Sequence, residues 1–272
     1  MSSEQSFFHP SAVAANMRVI ILSSGGKDSC YALWWAYLKG WDIAAIVTVQ
    51  IRGDDSMMFQ LPGTLVTGLQ ASSAEIPWVP ITVSGTPELE MDELLSSLQQ
   101  LIDVPEGPTL HFNEDGSNTY FPHEWPPIYT PKFSPGGKID AIVTGALRSD
   151  YQKTRIERMA EKLGIKSFTP LWHHDPYKHM CDLVEHGFEL MLTSVSADGL
   201  DVKWLGQILD TINLDKLNQL SISHRFSVDG EGGEFETTVV NAPWMKRSIT
   251  IQGEPIWTGQ QGFLDIKQAF LD

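Results

Sequence analysis

The sequence has few cysteines and no long apolar run, and each shortage excludes a class of protein. Only two cysteines, Cys30 and Cys181, occur among 272 residues, and neither belongs to a Cys-x-x-Cys pair. This excludes a disulfide framework and a cysteine-rich zinc site, and it favours a reducing cytoplasm. No apolar run approaches the ~20 residues that cross a bilayer, so we expect no membrane partner.

Basic residues are also scarce. The chain carries 19 Lys and Arg against 34 Asp and Glu, which gives a formal net charge of -15. Binding a phosphate backbone needs clustered Lys and Arg, so a stable nucleic-acid complex is disfavoured. Apolar residues make up 42% of the chain, which is typical of a folded globular protein with a sizeable core.

Short apolar runs alternate with helical patterns in the first half. Strands are predicted at 18–22, 43–49, 78–83 and 139–144, and helices at 27–39, 64–75, 88–102 and 150–163. Strands that alternate with helices indicate a parallel sheet covered by helices on both faces. The fold class is therefore α/β, with a first domain over 17–169.

The pattern changes after Pro170. Helices are predicted at 176–186, 203–209 and 214–220, with a strand at 189–194 and short strands between glycine turns over 237–263. We predict a smaller α+β domain over 170–272. Residues 104–138 are rich in Pro, Gly and aromatics without periodicity, which predicts an insertion beside the first domain. Residues 1–16 lack a basic residue and are expected to be an extension, not a signal peptide.

A glycine-rich hexapeptide joins the first predicted strand to the first helix. It reads Ser24-Gly25-Gly26-Lys27-Asp28-Ser29, and we call it the glycine loop. A strand, glycine turn and helix in this order aim backbone N–H groups at an anion, so the loop predicts phosphate binding. Lys27 would neutralise phosphate charge and Asp28 would hold Mg2+, while Ser24 and Ser29 would donate hydrogen bonds. A plain glycine turn at a helix start is the alternative.

The glycine loop resembles the PP-loop of the ATP pyrophosphatase superfamily, whose members cleave ATP between the α- and β-phosphates. The resemblance implies a five-stranded nucleotide-binding sheet, adenylation of a substrate and release of pyrophosphate. It does not imply kinase chemistry.

Three further motifs narrow this resemblance. They are Ser56–Gln60 (SMMFQ), Gly145–Arg155 (GALRSDYQKTR) and Glu231–Thr237 (EGGEFET), the last followed by Asn-Ala-Pro. Together with the glycine loop, they are similar to the diphthine–ammonia ligase family, and residues 195–206 match its archaeal type. The family completes diphthamide on translation elongation factor 2. The resemblance implies ATP, Mg2+, ammonia and diphthine-bearing elongation factor 2 as reactants and partners, and it allows a homodimer.

The motif that begins at Gly145 follows a predicted parallel strand, and ligands in such sheets lie beyond the carboxyl ends of the strands. Tyr151 and Arg155 are four residues apart and therefore share one face of the next helix. Arg155 can bind phosphate oxygens, and Tyr151 can hydrogen-bond or stack. The alternative for Arg155 is a surface ion pair with Glu157 or Glu161.

The motif Glu231–Thr237, which we call the acidic turn, crowds three carboxylates around two glycines. Composition alone favours a solvated turn. The resemblance implies a substrate-binding segment made of Glu231, Gly232, Gly233, Glu234, Phe235, Glu236 and Thr237. Carboxylates and an aromatic face suit the trimethylammonium group of diphthine. One carboxylate can instead deprotonate ammonium, and Glu234 is the catalytic candidate although the three are not ranked.

Two other features are given structural interpretations. We expect no transition metal at Trp172-His173-His174-Asp175, because adjacent histidines point in different directions, and the resemblance implies a substrate-side loop. Cys30 is interpreted as a packing residue in the first helix and not as a nucleophile.

The functional hypothesis is ATP-dependent amidation. The diphthine carboxylate attacks the α-phosphorus with help from Lys27 and Arg155, and ammonia converts the acyl-adenylate to an amide. No glutaminase signature is visible, so free ammonia is the simpler nitrogen source. The alternatives are a tRNA-modifying PP-loop enzyme, a relative acting on another carboxylate such as a corrinoid-salvage intermediate, and a nucleotide sensor.

Overall fold

A computed structural model describes residues 16–51, 61–86, 89–103, 112–134 and 137–272. The predicted extension at 1–15 and the motif at 56–60 lie outside these ranges.

The first sheet has five parallel strands in the order β3-β2-β1-β4-β5. Its strands are β1 (Arg18–Leu22), β2 (Asp42–Ile51), β3 (Trp78–Val83), β4 (Ala141–Thr144) and β5 (Lys166–Phe168). The helices that connect them are α1 (Lys27–Leu38), α2 (Leu61–Ala74), α3 (Leu89–Asp103) and α4 (Asp150–Leu163). The predicted α/β class is confirmed.

Alternate residues of β1 enter two cores, as expected for the two faces of one strand. Ile20 packs in a core formed with α3 and α4, whereas Val19 and Ile21 pack in a core formed with α1 and α2. The second of these cores continues into the C-terminal part of the chain. The two parts of the protein are therefore joined through one apolar interior.

The second sheet is mainly antiparallel. Strand β6 (Glu189–Val195) pairs along its length with β8 (Phe235–Asn241), and with β7 (Ile208–Leu209) and β10 (Gln261–Leu271) at its two ends. Strand β9 (Ile249–Thr258) completes a hairpin with β10. Helices α5 (Pro176–Glu185) and α6 (Thr211–His224) belong to the same region. Among the described residues, no helix is long and apolar enough to cross a membrane.

Two predictions for the second region were wrong in detail. Residues 203–209 are not a helix: a short 3-10 turn covers Val202–Trp204, and Ile208–Leu209 is strand β7. Gly206, at φ +78°, stops the helical path between them. The C-terminal strands are also longer than predicted and extend to Leu271, because Gly253 lies within β9 and makes no turn there.

The segment predicted as an insertion beside the first domain sends apolar side chains into the interior within its described residues 112–134, although most of its residues are exposed. Phe121 stacks on Trp78 of β3 at 5.2 Å between ring centroids. Trp125 donates its indole N–H to the carbonyl of Lys267 in β10 at 3.0 Å. Ser72 of α2 donates to the Tyr129 carbonyl at 2.6 Å. The segment therefore links the first sheet to the second, and burial of Phe121, Trp125 and Phe133 accounts for part of its aromatic content.

Candidate active site

A cleft of about 710 Å³ opens beyond the carboxyl end of β1, between the glycine loop and the second sheet. From the first domain, its lining includes Ser24, Gly26, Lys27 and Asp28. From the second, it includes Gly230, Glu231, Gly233, Phe235, Glu236, Thr237 and residues of β10 such as Phe263 and Asp265. The glycine loop and the acidic turn thus face the same space.

Hydroxyl groups brace the glycine loop from behind. Ser23 donates to the Ser29 hydroxyl at 3.0 Å and accepts the Gly25 N–H at 3.2 Å. Ser29 donates in turn to the Gly26 carbonyl at 3.0 Å. Ser29 was predicted to donate to phosphate, but the structure places it behind the loop, because its proton is used within the loop and it is buried. Ser24 is exposed and lines the cleft.

The glycines of the loop are required by close contacts with other segments. Gly25 adopts φ +84°, where a side chain would be strained and its Cβ would lie 2.7 Å from the Thr67 hydroxyl. A Cβ at Gly26 would lie 3.2 Å from the Thr237 carbonyl oxygen. A Cβ at Gly145 would overlap the backbone of Asp28. Gly145 therefore lets the end of β4 approach the loop closely.

Gln70 and β8 attach the glycine loop to the second sheet. Buried Gln70 donates to the carbonyls of Gly25 at 3.0 Å and Val239 at 2.7 Å. Val239 donates its backbone N–H to the same Gly25 carbonyl at 3.0 Å. The Lys27 N–H points to the Thr237 hydroxyl at 3.4 Å. Strand β8 therefore fixes the loop, and Thr237 contacts it directly.

The Asp28 carboxylate is held between the Lys27 ammonium group and the His179 ring. Lys27 Nζ lies 2.8 Å from one carboxylate oxygen, and His179 Nε2 lies 2.9 Å from the other. His179 belongs to α5 and is fully buried, whereas 22% of the Asp28 side chain is exposed. The carboxylate therefore has a fixed orientation while it still faces the cleft.

A second ion pair holds the segment that precedes the acidic turn. Arg148, just after β4, pairs with Asp229, which is fully buried. Asp229 also accepts the Ser227 hydroxyl at 2.5 Å and the Glu231 N–H at 3.3 Å. Burial alone would raise the pKa of Asp229, but the bonds from Ser227 and Arg148 hold that pKa below its usual value. The Arg148 pair therefore fixes the start of the acidic turn against the first domain.

Glu231 is the carboxylate of the acidic turn that faces the glycine loop. Its partial burial raises its pKa, and so does the negative charge of Asp28, whereas Lys27 opposes the shift. Glu231 also lines the cleft. A carboxylate with a raised pKa is a better proton acceptor near neutral pH, which suits a general base.

The other two carboxylates of the turn have different positions. Glu236 is exposed and lines the cleft beside Phe235. Glu234 is outside the cleft lining and accepts the Ser227 N–H at 2.9 Å. The choice of Glu234 as the catalytic candidate therefore needs correction, because its carboxylate supports the backbone of its own loop. Of the three carboxylates, Glu231 and Glu236 line the cleft.

Tyr151 and Arg155 are not brought to the cleft. The Arg155 guanidinium stacks on the Tyr151 ring at 3.9 Å and pairs with Glu90 of α3 at 3.4 Å. Neither residue is part of the cleft lining, and Tyr151 is 62% exposed. Arg155 is therefore in an ion pair, which was the alternative interpretation of this residue. Its partner is Glu90 on another helix, and not Glu157 or Glu161.

Residues 172–175 lead into α5. Asp175 caps this helix by accepting the Lys178 N–H at 2.8 Å. His174 lies beside Tyr31 and His179 in an aromatic cluster. Cys30 is fully buried, and burial raises the pKa of its thiol, which agrees with a packing role.

Sequence reasoning missed His179, Arg148 and Asp229. The signal for His179 was a histidine among the buried positions of α5, four residues before Leu183. Arg148 stood inside a recognised motif but was given no role. No local pattern marks Asp229 as the partner of Arg148, because the two are 81 residues apart.

The site fits ATP and a magnesium ion on the chemistry of its donors. The helix start and the buried Lys27 suit phosphate oxygens. Mg2+ is commonly held by one or two carboxylates together with substrate phosphates, and Asp28 offers one such carboxylate. Within the described residues, no cluster of three or more metal-binding side chains occurs.

A five-stranded parallel sheet with a glycine loop after β1 defines a nucleotide-binding α/β protein. Family models for the diphthamide synthase N-terminal domain and C-terminal domain match residues 17–106 and 175–271. Together these matches cover more than half of the chain. The chain belongs to the diphthamide synthase family.

Named relatives agree with this assignment. The chain is 30% identical over 263 residues to diphthine–ammonia ligase of Schizosaccharomyces pombe, covering 94% of this chain but 40% of that protein. It is 28% identical to the proteins of the same name from Bos taurus and Homo sapiens, covering 85% of each and 89% and 88% of this chain.

Among solved structures, a predicted subunit of tRNA methyltransferase from Methanocaldococcus jannaschii aligns over 84% of this chain and 98% of its own. The TM-score of this alignment is 0.36 and the identity is 16%.

Proposed function

We propose that the protein amidates diphthine on translation elongation factor 2 to diphthamide, using ATP and ammonia. The reaction is that of an AMP-forming carbon–nitrogen ligase. Membership of the diphthamide synthase family supports the substrate, and the relatives named diphthine–ammonia ligase support the reaction. Because elongation factor 2 acts in the cytoplasm, the proposed reaction takes place there.

One observation carries the proposal: the glycine loop and the acidic turn line a single cleft. A phosphate site alone would fit any nucleotide-binding protein. Here Glu231 and Glu236 face the same space as Lys27, so a cationic substrate and a triphosphate can meet there. The substrate of the family combines a trimethylammonium group with the carboxylate to be amidated, which matches these two walls.

In the proposed mechanism, the diphthine carboxylate oxygen attacks the α-phosphorus of ATP, and the bond to the β-phosphate oxygen breaks to release pyrophosphate. Lys27 and the loop N–H groups stabilise the charge on the phosphates. Bound Mg2+ would supply further charge neutralisation, and Asp28 would hold it. Ammonia then attacks the carbonyl carbon, AMP leaves with the bridging oxygen, and Glu231 takes the proton from nitrogen.

The direct test is nucleotide analysis after incubation with ATP, Mg2+, ammonium and diphthine-bearing elongation factor 2. We expect AMP and pyrophosphate in equal amounts, together with amidated elongation factor. Omission of ammonium should stop amidation, and unmodified elongation factor should yield no AMP above background. ADP and phosphate as the main products would contradict the adenylation mechanism.

A further inference from the structure

Asp28 has a buried partner that the proposed chemistry does not use. His179 is fully buried in α5, and its Nε2 lies 2.9 Å from the Asp28 Oδ1 atom. Because a carboxylate oxygen only accepts hydrogen bonds, Nε2 carries the proton in this pair. His179 is therefore a donor to Asp28.

The other ring nitrogen of His179 is not used in the same way. Among the described residues, Nδ1 has no hydrogen-bond partner although it is buried. Tyr31 and His174 contact the ring in T-shaped, edge-to-face arrangements, at 5.2 Å and 6.0 Å between centroids. Burying a histidine without any hydrogen bond would cost folding free energy. The bond to Asp28 offsets part of this cost and explains why a histidine is tolerated at this position.

The geometry points to His179 as a positioning residue that fixes the Asp28 carboxylate for the cation bound with ATP, an inference that rests on the proposed function. With Lys27 on one oxygen and His179 on the other, rotation of the carboxylate is blocked. With both oxygens held in this way, 22% of the Asp28 side chain remains exposed, and Asp28 lines the cleft. Without His179, the carboxylate would turn toward the Lys27 ammonium and leave the phosphates.

Three substitutions of His179 separate this role from packing. His179→Gln keeps an N–H donor near the position of Nε2, whereas His179→Asn moves the donor toward Nδ1. His179→Leu removes the donor and retains an apolar side chain that suits neighbours such as Leu183. His174→Leu is the matched control, since His174 packs in the same aromatic cluster, whereas the side-chain bond to Asp28 comes from His179.

The measured quantity is the ratio of the ATP dissociation constant in EDTA to that in Mg2+, which we call the Mg2+-dependent gain. It is determined by calorimetry on the full chain without elongation factor. We expect all variants to bind ATP in EDTA within about twofold of wild type. His179→Leu and His179→Asn should lose roughly ten- to a hundredfold of the Mg2+-dependent gain, the range for one hydrogen bond to a charged group. His179→Gln and His174→Leu should keep most of it.

A double-mutant cycle decides whether His179 acts through Asp28. Asp28→Asn alone should lose the same Mg2+-dependent gain, and adding His179→Leu should lower it no further. The inference would be overturned if the losses of Mg2+-dependent gain in the two single variants were fully additive. It would also be overturned if either His179→Leu or Asp28→Asn kept the gain of the wild type. Because no elongation factor is present, a wild-type enzyme that binds ATP but fails to amidate would contradict only the proposed function.

Discussion

The two walls of the cleft are held in different ways. In the glycine loop, the contacts between Ser23, Gly26 and Ser29, and between Lys27 and Asp28, join residues close in sequence. In the acidic turn, Asp229 depends on Arg148 from the other domain. The first wall therefore has a local framework in addition to its long-range bonds from Gln70, Val239 and His179, whereas the second is placed by a long-range ion pair. A local motif can be recognised in a sequence, but a long-range pair needs the fold.

The largest effect is expected on the first wall. Lys27→Ala should lower AMP formation at least about a hundredfold, because it removes a buried positive charge from the phosphate site. Thermal stability should change little, since the loop keeps its other contacts. Turnover and melting temperature would be measured beside Lys162→Ala, a matched substitution at an exposed lysine. Turnover within a few-fold of wild type would remove Lys27 from the mechanism.

The ion pair that places the second wall gives the next effect. Arg148→Leu should lower the free energy of unfolding by about 2–3 kcal/mol, because it leaves a buried carboxylate with only its Ser227 and Glu231 bonds. Chemical denaturation at neutral pH checks this value. Arg148→Leu combined with Asp229→Ala should recover part of the loss, since no charge then remains buried.

The same pair predicts a pH dependence. The pKa of Asp229 is lower in the folded protein than in the unfolded chain. Its charge therefore contributes to folding stability at pH values above the unfolded pKa of about 3.9, and this contribution is lost as pH falls through the lower folded pKa. Without Arg148, two of the influences that lower this pKa are removed, so the pKa of Asp229 rises. The stability gap between wild type and Arg148→Leu should therefore narrow as pH falls toward 4. A constant gap would argue against the charge of Asp229 as its cause.

The acidic turn itself should divide into substrate-facing and supporting carboxylates. Glu236→Gln should raise KM for diphthine-bearing elongation factor roughly five- to thirtyfold, as expected for an exposed carboxylate or aromatic site facing a cation. Glu234→Gln is the matched control and should leave KM nearly unchanged, because glutamine still offers an oxygen to the Ser227 N–H. The reverse pattern would restore Glu234 as the substrate residue.

The smallest effect on stability is expected at Glu231, where the two walls meet. Its pKa is raised by burial and by Asp28, so the folded protein is penalised above the raised pKa and the penalty vanishes as pH falls below the unfolded value. Glu231→Gln should therefore be more stable than wild type at neutral pH and equal to it in acid, while amidation falls. Melting curves against pH measure this, and a variant less stable than wild type at neutral pH would exclude the repulsion from Asp28.

The fold was predictable where periodicity is local. The strands Arg18–Leu22 and Trp78–Val83 and the helix Asp150–Leu163 match their predicted bounds, because each has a clean apolar pattern or caps. Strand β5 has three residues and was missed, since so short a run has no period. The interior position of Phe121 and Trp125 could not be predicted from a stretch whose partners are on distant strands.

The candidate site follows the same division. The glycine loop and acidic turn were found as motifs, and the cleft joins them as lining residues. The individual roles were less predictable: Arg155 pairs with Glu90, 65 residues away, and Glu234 accepts the Ser227 N–H across its own loop. His179 was passed over because its bond to Asp28 joins residues 151 positions apart.

The most direct test of the two-walled site follows oxygen from one substrate to the other. Elongation factor 2 whose diphthine carboxylate carries oxygen-18 would be incubated with ATP, Mg2+ and ammonium, and the products analysed by mass spectrometry. If the carboxylate held by the second wall attacks the α-phosphorus held by the first, each AMP formed should contain one oxygen-18 atom. Unlabelled AMP, or oxygen-18 in inorganic phosphate, would contradict the account.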